Sequence, residues 1–216
     1  MHSNLSLPSR KYLLLGLAAA LASAAPLGAQ GLEKISFGLS ASFVAPASMS
    51  LDTSWEDFEN TDAAYYGFGA GVFCRWDPKD NHGFRLRADY LLFGDKEKKG
   101  QNQTITDSTN IVAIMADYIY SFDSPNKGFY LFAGAGSLIT EWKREYTGTN
   151  VTTGKDSCTQ STVGVAAGGG YNFTKNFGAE IKYTKAFDLE LEDPSKPWIK
   201  LDADWSWIQV SLNWRF

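Results

Sequence analysis

Histidine and cysteine are almost missing, with two of each in 216 residues. His2 falls in the leader described below and His82 in a short polar turn, so a centre built on a positioned imidazole has no good candidate. An Asp-based peptidase is not excluded by that count. There is no CxxC, HExxH or phosphate-loop pattern, and the glycine-rich stretch Gly164 to Gly170 reads as a strand face, not a phosphate cradle. No metal or cofactor is implied. Basic charge is short as well, 20 Lys and Arg against 24 Asp and Glu, which argues against a nucleic-acid partner. Long helical periodicities are scarce, and the apolar stretch Tyr12 to Leu21 falls below the roughly 18 residues expected of a spanning helix.

What is present begins with that stretch. Arg10 and Lys11 precede it and small residues follow through Ala29, the pattern of a secretory signal peptide over residues 1–29, with its boundary anywhere from 24 to 30. No cysteine lies near the cleavage region, which argues against an N-terminal lipid anchor. Losing Arg10 and Lys11 leaves a formal charge of about −6. The remainder, 33–216, is long enough for one domain. It is rich in Gly (20) and in aromatics (7 Trp, 10 Tyr, 14 Phe) and reads as all-β.

Eight segments have strand character, most of them alternating apolar and polar residues with the two-residue period of a strand. They run from Ile35 to Phe43, Tyr66 to Trp76, Phe84 to Phe93, Val112 to Phe122, Phe129 to Thr140, Val163 to Phe173, Phe177 to Thr184, and Trp207 to Phe216. The fifth is apolar on both faces, so its phase stays open. Turns after the second, fourth and sixth are short, whereas Ala45 to Tyr65, Gly94 to Asn110, Glu141 to Gln160 and Asp188 to Asp204 read as long loops. Short connections at one rim and long ones at the other are the habit of transmembrane barrels. Cys74 falls near one end of a strand and Cys158 in a loop at the opposite rim. Their expected separation exceeds the roughly 7 Å that a bridge tolerates, so two free thiols are predicted.

The last segment places Ile208, Val210, Leu212, Trp214 and Phe216 on one face against Gln209, Ser211, Asn213 and Arg215 on the other. This ending resembles the C-terminal assembly signal of bacterial outer-membrane barrels. Two further stretches carry the same resemblance, Phe177-Gly178-Ala179-Glu180-Ile181-Lys182-Tyr183 and Tyr130-Leu131-Phe132-Ala133-Gly134-Ala135-Gly136. Together they make the chain similar to the small eight-stranded outer-membrane β-barrel family of the OmpA transmembrane domain, OmpX, OmpW and opacity-type proteins. The resemblance implies an eight-stranded antiparallel up-and-down barrel in the outer membrane, with both termini periplasmic. It implies outer-membrane lipid and the barrel-assembly machinery as partners, the latter through Ile208, Val210, Leu212, Trp214 and Phe216. The chain departs from full-length OmpA by ending at the barrel, so peptidoglycan anchoring is not implied. It also lacks the His used by the ten-stranded surface peptidases.

A soluble lipocalin-type carrier is the competing eight-stranded barrel, with its apolar face inside. Aromatics gathered near the short-turn rim, among them Trp76, Phe84, Tyr120, Phe129, Phe173, Trp214 and Phe216, favour the membrane, as an interfacial girdle. In that case Arg75, Arg85, Arg87, Asp89, Asp117, Glu180 and Lys182 face a narrow lumen, either as a packed ion-pair plug or as the lining of a conducting path. Glycines on the second, fifth and sixth strands leave room for the long Arg and Lys side chains. Leu91, Phe93 and Met115 point inward toward the long-loop side, as an apolar mouth would, or simply fill space. The acidic run Asp52, Glu56, Asp57, Glu59 and Asp62 is read as a solvated rim, with bridging divalent cations or a basic partner as the alternatives. Lys96, Lys98, Lys99, Lys143 and Arg144 are candidates for lipid phosphates. Two functions are expected of such a chain. One is a non-enzymatic barrel whose long loops bind an extracellular ligand or host surface in an adhesin-like or structural role. The other is an OmpW-like narrow channel for small, apolar solutes.

Overall fold

Alternating side chains need a partner on each edge of the strand and a different medium on each face, and closing the sheet on itself supplies both. The computed structural model describes residues 35–53, 61–62, 66–99, 103–148, 154–187, 189–193 and 196–216; the proposed signal peptide lies outside them. The strands are β1 (Ile35–Thr53), β2 (Thr61–Asp62), β3 (Gly67–Lys79), β4 (His82–Phe93), β5 (Lys96–Lys99), β6 (Gln103–Ser121), β7 (Gly128–Gly148), β8 (Gly154–Asn172), β9 (Phe177–Ala186), β10 (Leu189–Asp193) and β11 (Lys196–Arg215). Eight of them form an antiparallel ring in the order β1, β3, β4, β6, β7, β8, β9, β11, which closes because β11 also pairs with β1. The seam runs from Gly38 opposite Arg215 to Thr53 opposite Leu201. No helix among the described residues is long and apolar enough to cross a membrane, which says nothing about strands.

The outer wall is apolar. Phe68, Phe129 and Phe216 are 70%, 64% and 66% exposed, and Leu39, Leu86, Ile114, Leu131, Val163, Ile181, Val210 and Leu212 also face out. A soluble carrier would bury this set, so the lipocalin alternative fails on the direction of the side chains. Near the short turns the aromatics touch in sequence. Trp76 stacks on Phe84, Phe84 meets Tyr118, Tyr120 meets Phe122, and Phe129, Tyr171, Phe173 and Phe177 form a continuous run. The ambiguous fifth segment resolves with Tyr130 and Phe132 inward and Phe129 and Leu131 outward.

Each short turn has a local cause. Lys79 pairs with His82 around Asp80-Asn81, and Asn81 is tied to β6 by Ser121 N–H donating to its carbonyl at 2.8 Å. Ser124 and Lys127 bridge across Pro125-Asn126. Gly128 then takes φ 100°, a conformation open to glycine. Between β8 and β9, Thr174 Oγ1 accepts from the N–H groups of Asn176 and Phe177 at 3.2 and 3.1 Å.

The opposite rim corrects the sequence reading. The four stretches expected as long loops are largely strand, because β1, β6, β7, β8 and β11 continue past the ring and take on β2, β5 and β10 as short edge partners. Paired backbone needs no side-chain partner for its N–H and C=O groups, and Thr104-Ile105-Thr106 is strand-forming sequence. Cys158 is consequently not in a loop. It lies in β8 opposite Trp142, buried, while Cys74 sits on β3; neither is in a disulfide.

Candidate functional site

Since every second residue of each ring strand points inward, the lumen is built from eight half-strands and can be followed from the turn rim upward. Lowest are Arg75, Ser121, Asn172, Asn213 and Arg215, all buried. Arg75 Nε donates to Asp77 at 2.8 Å and its guanidinium lies 5.8 Å from the Tyr130 ring centroid. Arg215 Nη1 donates to the Pro125 carbonyl at 2.9 Å. A void of about 10 Å³ is left among Arg75, Asn172, Asn213 and Arg215 together with Phe73, Arg85, Tyr130 and Gly178.

Above this lies the ion-pair layer. Arg85 comes from β4 and forks, Nε to Asp117 of β6 at 2.9 Å and Nη1 to Glu180 of β9 at 2.6 Å. Its guanidinium is 4.8 Å from the Phe132 ring centroid, a cation–π contact inside the barrel. Glu180 also accepts from Arg87 Nη1 and, at 3.0 Å, from the Tyr130 hydroxyl. Lys182 Nζ of β9 returns to Asp89 of β4 at 2.9 Å. Arg85 Nη2 and Arg87 Nε lie 2.8 Å from Asp117 and Asp89, close enough for ion pairs although their N–H directions miss hydrogen-bond geometry. The layer therefore straps β4 to β6 and β9 across the lumen. Carboxylate and guanidinium alternate, the arrangement that makes burial of charge tolerable.

The next level is neutral, with Gln209 Nε2 donating to Ser42 and Ser211 at 3.1 and 3.3 Å. Beyond it the interior turns apolar. Leu91, Phe93 and Met115 join Val44, Ile111, Leu138, Trp142, Trp205 and Trp207 in one buried cluster. Leu91, Trp205 and Trp207 have no exposed surface, so these side chains fill the bore rather than line an opening.

Glycine placement differs from expectation. The room at Gly71 is taken by the Asp89 carboxylate and at Gly134 by that of Asp117, and an added Cβ at either position would collide with the acid. Gly168 and Gly170 face the rings of Phe132 and Tyr130. Glycines here accommodate acids and aromatics, not the long basic chains.

On the protruding sheet, Arg144 of β7 makes a two-pronged pair with Asp107 of β6 at 2.7 and 2.9 Å and covers the Trp142 ring. Lys143 pairs with Glu141 at 2.8 Å, Lys155 with Glu145, and Lys99 with Glu97 at 3.7 Å. Arg144 is thus turned onto an acid rather than presented to lipid phosphate. The Lys155 ammonium donates to Glu145 and holds its carboxyl below the usual range. That small contribution is present at neutral pH and is lost as pH falls through the folded value. The Lys98 side chain and the acidic run Asp52, Glu56, Asp57, Glu59 and Asp62 lie outside the residues whose side chains are described. Among the described residues no group of three or more His, Cys, Asp and Glu could hold a metal. His82 meets the Tyr118 hydroxyl at 2.5 Å on the wall near a short turn.

Sequence reading missed Tyr130, Trp142, Trp205 and Trp207. Trp207 shares the phase of Gln209 and could have been placed inside. Tyr130 was hidden by a segment apolar on both faces and Trp142 by the loop assigned there, while Trp205 fell between the last assigned loop and the last assigned strand.

A profile of the outer membrane protein beta-barrel domain matches residues 13–216. Among curated proteins no match is found. Similar solved structures include Ail, the attachment invasion locus protein of Yersinia pestis, in complex with the heparin analogue sucrose octasulfate. It is 14% identical over 85% of this chain and 99% of its own, with a TM-score of 0.50. Neisserial surface protein A is 16% identical over 85% and 100%, TM-score 0.50. A major outer membrane protein of Thermus thermophilus is 13% identical over 84% and 99%, TM-score 0.51. At these identities the likeness is one of fold.

Proposed function

The chain belongs to the outer membrane protein β-barrel domain family, and from that premise we propose that it is a closed barrel whose long hairpins bind an extracellular ligand or host surface. Residues 1–29 serve as the signal peptide and the short turns and both termini face the periplasm. Strand length carries this reading. About 9–11 residues suffice to cross a membrane as a tilted strand, whereas β6 has 19, β7 21 and β8 19. The β6–β7 ladder continues without a break from Ser121 opposite Tyr130 up to Gln103 opposite Gly148. Ordered sheet held well clear of the lipid on one side only is suited to recognition. The lumen supports the same view, filled by the Arg85–Glu180–Arg87 layer below and by Leu91, Met115 and Trp207 above.

A second reading, the narrow channel for apolar solutes, draws on Leu91, Phe93 and Met115 facing the outer half of the bore. One experiment separates the two. A variant with its hairpins cut back to Asn110, Thr140 and Gln160 keeps the ring and loses the protruding sheet. Expected are loss of binding to host cells or glycans, no reproducible unit conductance of either protein in planar bilayers, and surface detection on intact cells of an epitope placed between Gly148 and Gly154. Steady single-channel conductance of the full protein, with binding unchanged by trimming, would favour the channel and overturn the proposal. The heparin analogue belongs to Ail and is one glycan to try, since a shared fold does not carry a ligand.

A further inference from the structure

Charges in the turn-rim half of the lumen do not cancel. Among the side chains of the described residues, Arg75, Arg85, Arg87, Lys182 and Arg215 are gathered there against Asp77, Asp89, Asp117 and Glu180, one cation in excess. Four of the cations have a carboxylate in ion-pair contact: Arg75 has Asp77, Arg85 has Asp117 and Glu180, Arg87 has Asp89 and Glu180, and Lys182 has Asp89. Among the described residues Arg215 has none. Its Nη1 is used by the Pro125 carbonyl, and its Nη2 is buried without any acceptor. A guanidinium does not shed its proton to escape such a position, so the surplus charge needs a counter-ion.

Arg215 lines the void of about 10 Å³ described above, together with Arg75, Asn172, Asn213 and Tyr130. That space suits one small particle, and the unmatched positive charge favours an anion over a water. We propose that this void binds one monovalent anion of chloride size, held by Arg215 Nη2 and faced by Arg75. The site is independent of the hairpins and of what they bind.

The test is thermal unfolding of the detergent-refolded barrel at constant ionic strength, with sodium gluconate replaced stepwise by sodium chloride. Gluconate is too large for the void. A ligand bound only by the folded state gives a midpoint that rises and then saturates with chloride. Arg215→Gln should abolish the rise. Asn172→Asp should abolish it too, by placing a fixed carboxylate on the same void, and it keeps the test decisive should the Arg215 variant fail to refold. No saturable rise in the wild type, or an equal rise in Asn172→Asp, overturns the proposal and leaves a water there.

Discussion

Glu180 is the acid on which the lumen converges, touched by Arg85, Arg87 and Tyr130 and reached at longer range by Asn213. Removing one partner of a buried pair costs more than the pair is worth, because the charge left behind cannot return to water. Glu180→Gln keeps the shape and deletes the charge. We expect it to lower stability by about 3 kcal/mol, as Arg85 and Arg87 fall back on Asp117 and Asp89 alone. Urea unfolding in lipid vesicles would measure this, with exposed Glu97→Gln as a control near zero. An equal effect of the two substitutions would mean that the layer adds nothing to stability. Glu180 was readable in the sequence, because one strand's alternation puts its polar residues on a single face. Which cation it meets was not, since register between β4 and β9, strands that are not neighbours, depends on ring size and tilt.

At the level of the strand, alternation assigns cost as well as direction. Glu180 and Ile181 are adjacent, yet one is buried in the lumen and the other is 56% exposed on the wall. A positive charge at mid-wall costs about 2–4 kcal/mol in lipid, falling to about 0–1 near the interfaces. Ile181→Arg should therefore destabilise the barrel in vesicles by that larger amount, and Phe187→Arg, at the upper end of the wall, much less. Similar losses at both positions would argue against lipid along this face. The same alternation made seven of the eight ring strands legible, the exception being the segment from Phe129 to Thr140, apolar on both faces. What it did not show was where strands end. Thr104 to Asn110 and Glu141 to Gly148 are mostly polar, like loops, and they are strands because they pair with each other. Their ladder is a cross-strand property and leaves no period in either sequence alone.

For the whole molecule, assembly can be separated from stability. Ile208, Val210, Leu212, Trp214 and Phe216 face outward along the closing strand, all of them exposed. If the assembly machinery reads these residues, as we propose, Phe216→Ala should sharply reduce folded barrel in cells while in-vitro refolding into detergent changes little. Equal losses in both settings would make Phe216 a packing residue only. The seam has a further consequence. Gly38 pairs with Arg215 and Phe216 N–H donates to Phe37 at 3.0 Å, so the first ring strand and the last complete each other. At about 5–20 residues per second, the chain between them takes on the order of ten seconds to translate. Throughout that interval β1 has one hydrogen-bonding edge with nothing to pair against, which is the condition in which edges capture foreign chains. Time, rather than energy, is what the circular plan demands, and a periplasmic chaperone holding β1 until β11 arrives would supply it.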